Sequence, residues 1–297
     1  MTTSSPALSK REGVKIAQVF CACRKTHLQA ESLVINRTRQ RPMIFLILSL
    51  LLSSCLFAQE KAQVIAHRGY WQTKSSAQNS IASFENAARI HVYGSEFDAR
   101  MTQDSVLVIF HDDEVNGIRF DEAPYSAIQD IVLSNGEKIP TLREYLEAAR
   151  HLENVKLIFE LKVGKKSDPE WSRESARRSV DLVREKKLQM RTEYITFDLE
   201  AAKELIRLSP ESDVYYLNGD LSPAELKSLG FAGLDYHFDV MRKNPHWFKE
   251  AKKLGLGINV WTVNDIDMMR EMIENGADFI TTDIPVEALR VINSISW

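Results

Sequence analysis

Residues 156–162 read Lys-Leu-Ile-Phe-Glu-Leu-Lys, and residues 193–198 read Glu-Tyr-Ile-Thr-Phe-Asp. Between them, residues 169–188 are rich in Arg and Glu and have helical spacing. The unit then repeats. Apolar runs at 214–219, 232–236, 258–263 and 278–283 each lead into a helical stretch, at 222–230, 246–255, 265–276 and 285–293, and 193–198 leads into 199–208. Ser222-Pro223 is a cap with proline at the first helical position, Pro245 opens the next helix, and Asn264 is expected to cap the one after it. Working upstream, strands are predicted at 63–66 and 94–98, with a helix over 80–91 capped by Ser80 and buried through Ile81, Phe84, Ala87 and Ala88. Residues 106–110 form an extension folded back on the preceding strand. Residues 113–141 are irregular and full of turn chemistry (Asn116-Gly117, Pro124, Asn135-Gly136, Pro140), before Thr141 caps another helix. That makes eight main strands, apolar on both faces as parallel strands between layers are. The pattern predicts an α/β chain folded as a (β/α)8 TIM barrel, with a small insertion at about 113–141 after the second strand unit. A doubly wound sheet is the alternative, but no Gly-x-Gly-x-x-Gly or Walker sequence follows any strand.

The chemistry gathers at residues 96–100, Glu-Phe-Asp-Ala-Arg, followed by 106–112, Val-Leu-Val-Ile-Phe-His-Asp. Side chains two apart on a strand share a face, so Glu96 and Asp98 converge while Phe97 turns away. An acidic pair in an apolar segment is costly unless something positive meets it. Oxygen ligands suit a hard cation such as Mg2+ or Ca2+. Barrel active sites lie at the C-terminal ends of the strands. Those ends carry His67 and Arg68, Glu96 and Asp98, Glu160 and Lys162, Asp198, Asn218, Asp235 and His237, Trp261, and Asp283, with His111 after the extension. The opposite ends, such as Val155-Lys156 and Arg191-Thr192, hold no comparable set. Singly, each residue has a plain structural reading: Asp283 could cap the last helix, Trp261 could be core, and His237 a satisfied loop residue. Their convergence on one end points to an enzyme.

Five short motifs stand in order: His67-Arg68-Gly69, Glu96-x-Asp98, His111-Asp112, Glu160-Leu161-Lys162 and Trp261-Thr262-Val263-Asn264. With them, residues 63–290 resemble the glycerophosphodiester phosphodiesterase family. The resemblance implies a metal-dependent hydrolase that converts glycerophosphodiesters to glycerol 3-phosphate and an alcohol. It implies one divalent cation, Mg2+ or Ca2+, on Glu96, Asp98 and Glu160. It makes His67 and His111 general acid and base, and Arg68 and Lys162 phosphate contacts. Trp261 is expected to line the glycerol or head-group pocket, with Gln78, Asn79, His237 and Asp283 supporting the site from behind. One departure stands out. The family usually has Pro-Glu-Asn-Thr where this chain has Ala77-Gln78-Asn79-Ser80, so a neutral amide replaces a carboxylate. Two other readings stay open: a barrel phospholipase of the sphingomyelinase D or phosphoinositide type acting on intact lipids, and a non-catalytic binding barrel.

Residues 44–52 form an apolar run of nine, too short to span a bilayer but suited to an export signal. Residues 1–58 are therefore expected to be a leader, with the export signal at 43–58 and the barrel at 59–297. Met43 is expected as the biological start, and 1–42 as an upstream extension, although a start at Met43 leaves no basic side chain ahead of the run. Two processing routes compete: a lipobox-like Leu52-Ser53-Ser54-Cys55 that would leave Cys55 lipidated, or cleavage after Ala58. Either makes the protein exported, periplasmic or secreted, with membrane attachment only through a lipid anchor. All three cysteines (Cys21, Cys23, Cys55) lie in this leader, which argues against a disulfide framework or a thiol nucleophile in the barrel. The full chain has 38 basic and 41 acidic side chains; without the eight and two of residues 1–58 the balance is 30 against 39, or −9. Such a charge disfavours nucleic acid as a partner, leaves a small molecule as the expected one, and gives no clear oligomer signal.

Overall fold

The computed structural model describes residues 61–164 and 168–295. The expected export signal at 43–58, Cys55 and the extension 1–42 lie outside the described residues. Strand β1 (Gln63–Ala66) leads to α1 (Ile81–Arg89) and β2 (Gly94–Met101). Strand β3 (Leu107–Ile109) folds back antiparallel on the end of β2 and pairs Ile109 with Ala99. A hairpin of β4 (Glu114–Val115) and β5 (Ile118–Arg119) follows, then α2 (Leu142–Ala149) and β6 (Lys156–Lys162). The regular half runs α3 (Pro169–Glu185), β7 (Thr192–Thr196), α4 (Leu199–Leu208), β8 (Val214–Tyr216), α5 (Pro223–Leu229) and β9 (Gly233–His237). It ends with α6 (Phe238–Lys243), α7 (His246–Leu254), β10 (Gly257–Trp261), α8 (Ile266–Asn275), β11 (Phe279–Thr282) and α9 (Pro285–Ser294). The sheet order is β1-β11-β10-β9-β8-β7-β6-β2, and pairing of β1 with β2 closes it. These eight strands are parallel neighbours throughout, so the fold is the expected (β/α)8 barrel.

The period of two in each strand separates two environments. On β6, Leu157, Phe159 and Leu161 join the large core between barrel and helices. Ile158 instead joins Ile65, Ile195, Tyr215 and Leu217 inside the barrel, and Glu160 and Lys162 continue its face toward the C-terminal end. Helix starts are set by local chemistry: Thr141 and Ser222 form capping boxes, and Ser80 and Asp198 accept the first free amides. The expected cap at Asn264 is corrected. Asp265 caps α8 with its side chain, while the Asn264 side chain bonds Asp283. Asp283 does not cap α9 either, whose N-cap is Ile284. The segment 113–141 is less irregular than its sequence. The β4–β5 hairpin and two short 3-10 turns, at Phe120–Glu122 and Tyr125–Ala127, gather Phe120, Ile128 and Ile139 into a small core on Val108. No helix among the described residues is long and apolar enough to cross a membrane.

The interior is tight at its N-terminal end. A Cβ on Gly233 would lie 2.3 Å from the Gly257 carbonyl oxygen and 2.4 Å from the Tyr215 ring. Gly233→Ala is expected to overpack this layer and lower unfolding stability by about 1–3 kcal/mol, measured by urea denaturation.

Candidate active site

Register alone brings the acids together. Asp98 on β2 is the partner of Glu160 on β6, and Glu96 lies one inward-facing position before Asp98. One carboxylate oxygen from each of Glu96, Asp98 and Glu160 lies within 4.8 Å of the others, and all three residues are buried. Asp98 is the best satisfied. Its Oδ2 accepts from the Asn79 amide at 2.8 Å, its backbone N–H donates to Asn79 Oδ1 at 3.0 Å, and its Oδ1 is 3.2 Å from Lys162 Nζ. Burial pushes its carboxyl up, but Lys162, His111 and the Asn79 hydrogen bond outweigh that and hold it at about 2. Glu96 and Glu160 fare differently. Burial, with Asp98 and Glu160 beside it, holds Glu96 well above the carboxylate range. Burial takes Glu160 to about 7 despite Lys162 Nζ at 2.5 Å.

The cations come from two strand ends. Arg68 follows β1 with a left-handed backbone (φ 55°) that turns its N–H onto Glu96 Oε2 at 2.7 Å. Its guanidinium Nη1 donates to Gln78 Oε1 at 2.7 Å, and Nε lies 3.6 Å from Asp98 Oδ2. Burial opposes the charge on Lys162, yet Glu160 and Asp98 raise it above the ordinary lysine value. Three carboxylates therefore face two cations. Glu96 Oε1 is buried without a hydrogen-bond partner. A set of three acidic oxygens, one of them unmet, fits a divalent cation with a preference for oxygen ligands.

Each histidine is tied at Nδ1 to an aspartate. His67 Nδ1 is 2.8 Å from Asp283 Oδ1, and Asp283 is in turn held by the Asn264 amide at 2.7 Å and the Trp71 indole N–H at 3.3 Å. His111 Nδ1 is 2.7 Å from Asp112 Oδ1. Its backbone carbonyl accepts from Arg100 Nε at 2.8 Å, and Arg100 also pairs with Asp113 at 2.7 Å. Burial, partly offset by Asp98, holds the His111 imidazole below its usual range. Both histidines line one cavity of about 210 Å³ together with Glu96, Glu160, Lys162 and Trp261. A larger groove of about 650 Å³ beside it, between Trp71–Gln78 and Val132–Ser134, has no titratable side chain in its lining.

The model of the Glycerophosphoryl diester phosphodiesterase family matches residues 67–287 of this chain. The chain belongs to that family. A glycerophosphodiester phosphodiesterase of Parabacteroides distasonis is 52% identical in its solved structure, with TM-score 0.78, over 80% of this chain and 98% of that one. A glycerophosphodiester phosphodiesterase of Caldanaerobacter subterraneus subsp. tengcongensis is 26% identical over 251 residues, 78% of this chain and 98% of that protein. An Oleispira antarctica phosphodiesterase, solved with the product sn-glycerol-3-phosphate, shares the fold at 24% identity and TM-score 0.68, over 79% of this chain and 98% of that one. The protein is thus a phosphodiesterase, not a binding barrel without catalysis.

Within this phosphodiesterase the structure brings together His67, Arg68, Glu96, Asp98, His111, Glu160 and Lys162, with Asn79 behind Asp98 and Asp283 behind His67. Gln78 faces Arg68, so its amide oxygen is already engaged by the guanidinium. His237 stands apart. Its Nδ1 accepts from the Asp239 N–H at the start of α6, and its ring meets the edge of Trp261 at 5.2 Å. Arg100 and Trp71 support the histidines without having been expected to, and Asn264 does so in place of its expected capping role. Arg100 had a signal, since Glu96, Asp98 and Arg100 alternate on one strand face. Nothing local marked Trp71, whose partner is more than 200 positions away.

The buried acids make stability pH-dependent. In the metal-free protein, Glu160 keeps its proton up to about 7, against 4.5 when unfolded. Its raised value stabilises the fold below pH 4.5, and that contribution is lost as pH rises toward 7. Thermal melts of chelator-treated protein are expected to show Tm falling across this window, with a flatter profile in Glu160→Gln.

Proposed function

We propose that this site hydrolyses glycerophosphodiesters to glycerol 3-phosphate and an alcohol, using one divalent cation, Mg2+ or Ca2+, and the pair His67 and His111. The observation that carries the reading is the buried carboxylate triad with its unmet Glu96 oxygen, opening to a cavity flanked by two aspartate-bound histidines. Glu96, Asp98 and Glu160 would hold the cation. When bound, it supplies positive charge to the phosphodiester oxygens. Lys162 and Arg68 bring two further charges to the same end, so the chain can offset charge that builds on the phosphoryl group.

Proton movement falls to the histidines. A carboxylate on Nδ1 sets the tautomer and leaves Nε2 as the working nitrogen. His111, held low by burial, is neutral at pH 7 and suited to take the proton from the attacking oxygen. His67, seated on Asp283, is the group left to protonate the departing alcohol. The cavity, at about 210 Å³, is small beside the ~300–1,000 Å³ of drug-sized sites. It favours a compact diester over the acyl chains that the phospholipase reading requires. The proposal extends to export, supported by the apolar run at 44–52 and by Cys55.

Protein stripped with chelator is expected to release no glycerol 3-phosphate from glycerophosphocholine, glycerophosphoethanolamine or glycerophosphoglycerol. Added Mg2+ or Ca2+ restores turnover, and also raises Tm with its concentration. His67→Ala and His111→Ala each lower kcat by about 10²–10⁴-fold; full activity in either would remove that histidine from the mechanism. Separately, if Cys55 carries a lipid, Cys55→Ser moves the protein from the membrane to the soluble fraction of cells.

A further inference from the structure

One buried carboxyl on the cavity wall has no part in the chemistry above. Asp235, in the middle of β9, is 1% exposed, and it lines the catalytic cavity with Trp261 and Thr281. Its Oδ1 has no hydrogen-bond partner. An unmet buried oxygen is costly, and in a binding cavity it marks a position where a ligand can donate. The surroundings are rigid. The Trp261 indole N–H donates to the Asp235 backbone carbonyl at 2.8 Å, which ties the ring to β9. Asn259 on β10 is the register partner of Asp235 and donates to Thr281 Oγ1 on β11 at 2.8 Å. Three adjacent strands thus place Asp235, Asn259 and Thr281 side by side on the inner face. Beyond them Ile65, the register partner of Thr281, begins the apolar wall.

Burial pushes the Asp235 carboxyl up to about 8, against the pull of Asn259. At pH 7 it is a neutral group that can both donate and accept, which is the complement of an alcohol hydroxyl. A phosphate belongs with Lys162 and Arg68, and a methylated ammonium has no N–H to offer Oδ1. We propose that Asp235, steadied by the Asn259–Thr281 pair, hydrogen-bonds a free hydroxyl of the substrate's glycerol. It thereby makes the enzyme select deacylated glycerophosphodiesters over phospholipids, whose glycerol oxygens are esterified. The inference rests on the phosphodiesterase reading of the site and names the group that reads the glycerol.

The test compares glycerophosphocholine with propylphosphocholine, which keeps the choline phosphate and lacks both glycerol hydroxyls. The enzyme is the full chain with Mg2+ or Ca2+. Wild type is expected to prefer the glycerol substrate in kcat/KM by at least about tenfold. Asp235→Leu narrows the preference to within about threefold, chiefly through KM. Asp235→Ala, which leaves no polar group at the position, narrows it by about threefold or more and carries the test if the leucine variant does not fold. A second readout needs no turnover: wild type binds glycerol 3-phosphate more tightly than n-propyl phosphate, and the gap closes in both variants. Wild type without a preference, or folded variants with the wild-type ratio and the wild-type binding gap, overturn the role of Asp235. A wild type that releases no glycerol 3-phosphate overturns the phosphodiesterase reading instead, and the binding comparison then still decides for or against Asp235.

Discussion

Three carboxylates share the end of one buried barrel with two cations to face them. That imbalance follows from the register of β2 on β6, which sets Asp98 beside Glu160. Charges brought this close in a poorly solvated interior cannot all remain ionised without a counter-charge. Asp98 draws on Lys162, Arg68 and the neutral Asn79 amide together, while Lys162 also lies against Glu160. Glu96 and Glu160 are left to carry the cost of burial as raised proton affinities. The deficit is a positive charge at a point lined by oxygen atoms, and it is this deficit that a divalent cation would fill.

The scaffold accepts local strain to hold that arrangement. Arg68 and Asn79 both adopt left-handed backbone at positions where most side chains avoid it. In return, the Arg68 amide reaches Glu96 and the Asn79 side chain reaches Asp98 from both sides. A carboxylate at position 78 would have faced Arg68, and Gln78 keeps the hydrogen bond while removing the charge. The substitution therefore acts on the guanidinium first. Arg68 thereby has a neutral partner where a carboxylate would have offset its charge.

The histidines are set by different means. His67 sits at a strand end and is fixed by a carboxylate from the last strand, itself clamped by Trp71 and Asn264. His111 sits on the extension, and Arg100 reaches from β2 to hold its carbonyl and Asp113. The inserted segment begins at that point and buries its own small core against Val108. Its first residues thereby stay near the barrel mouth.

Much of this was legible in one chain of letters. Continuous apolar runs alternating with helical stretches determine a parallel sheet covered by helices, because strands covered on both sides must be apolar on both faces, and eight such units in one domain point to a barrel. The spacing of Glu96, Asp98 and Arg100 determines that they share a face, and a barrel puts strand ends such as His67, Glu160 and Asp283 at one mouth. Sequence spacing carries no information about which side chains from distant strands touch. The tertiary structure alone decided that Asp283 holds His67 and does not cap a helix, that Asn264 turns from capping to bonding Asp283, and that His237 leaves the acids for Trp261. It alone left Glu96 and Asp235 with an unmet oxygen. The physical reason is that hydrogen bonds and burial energies depend on separations of a few ångströms across the barrel, which closure and register set together.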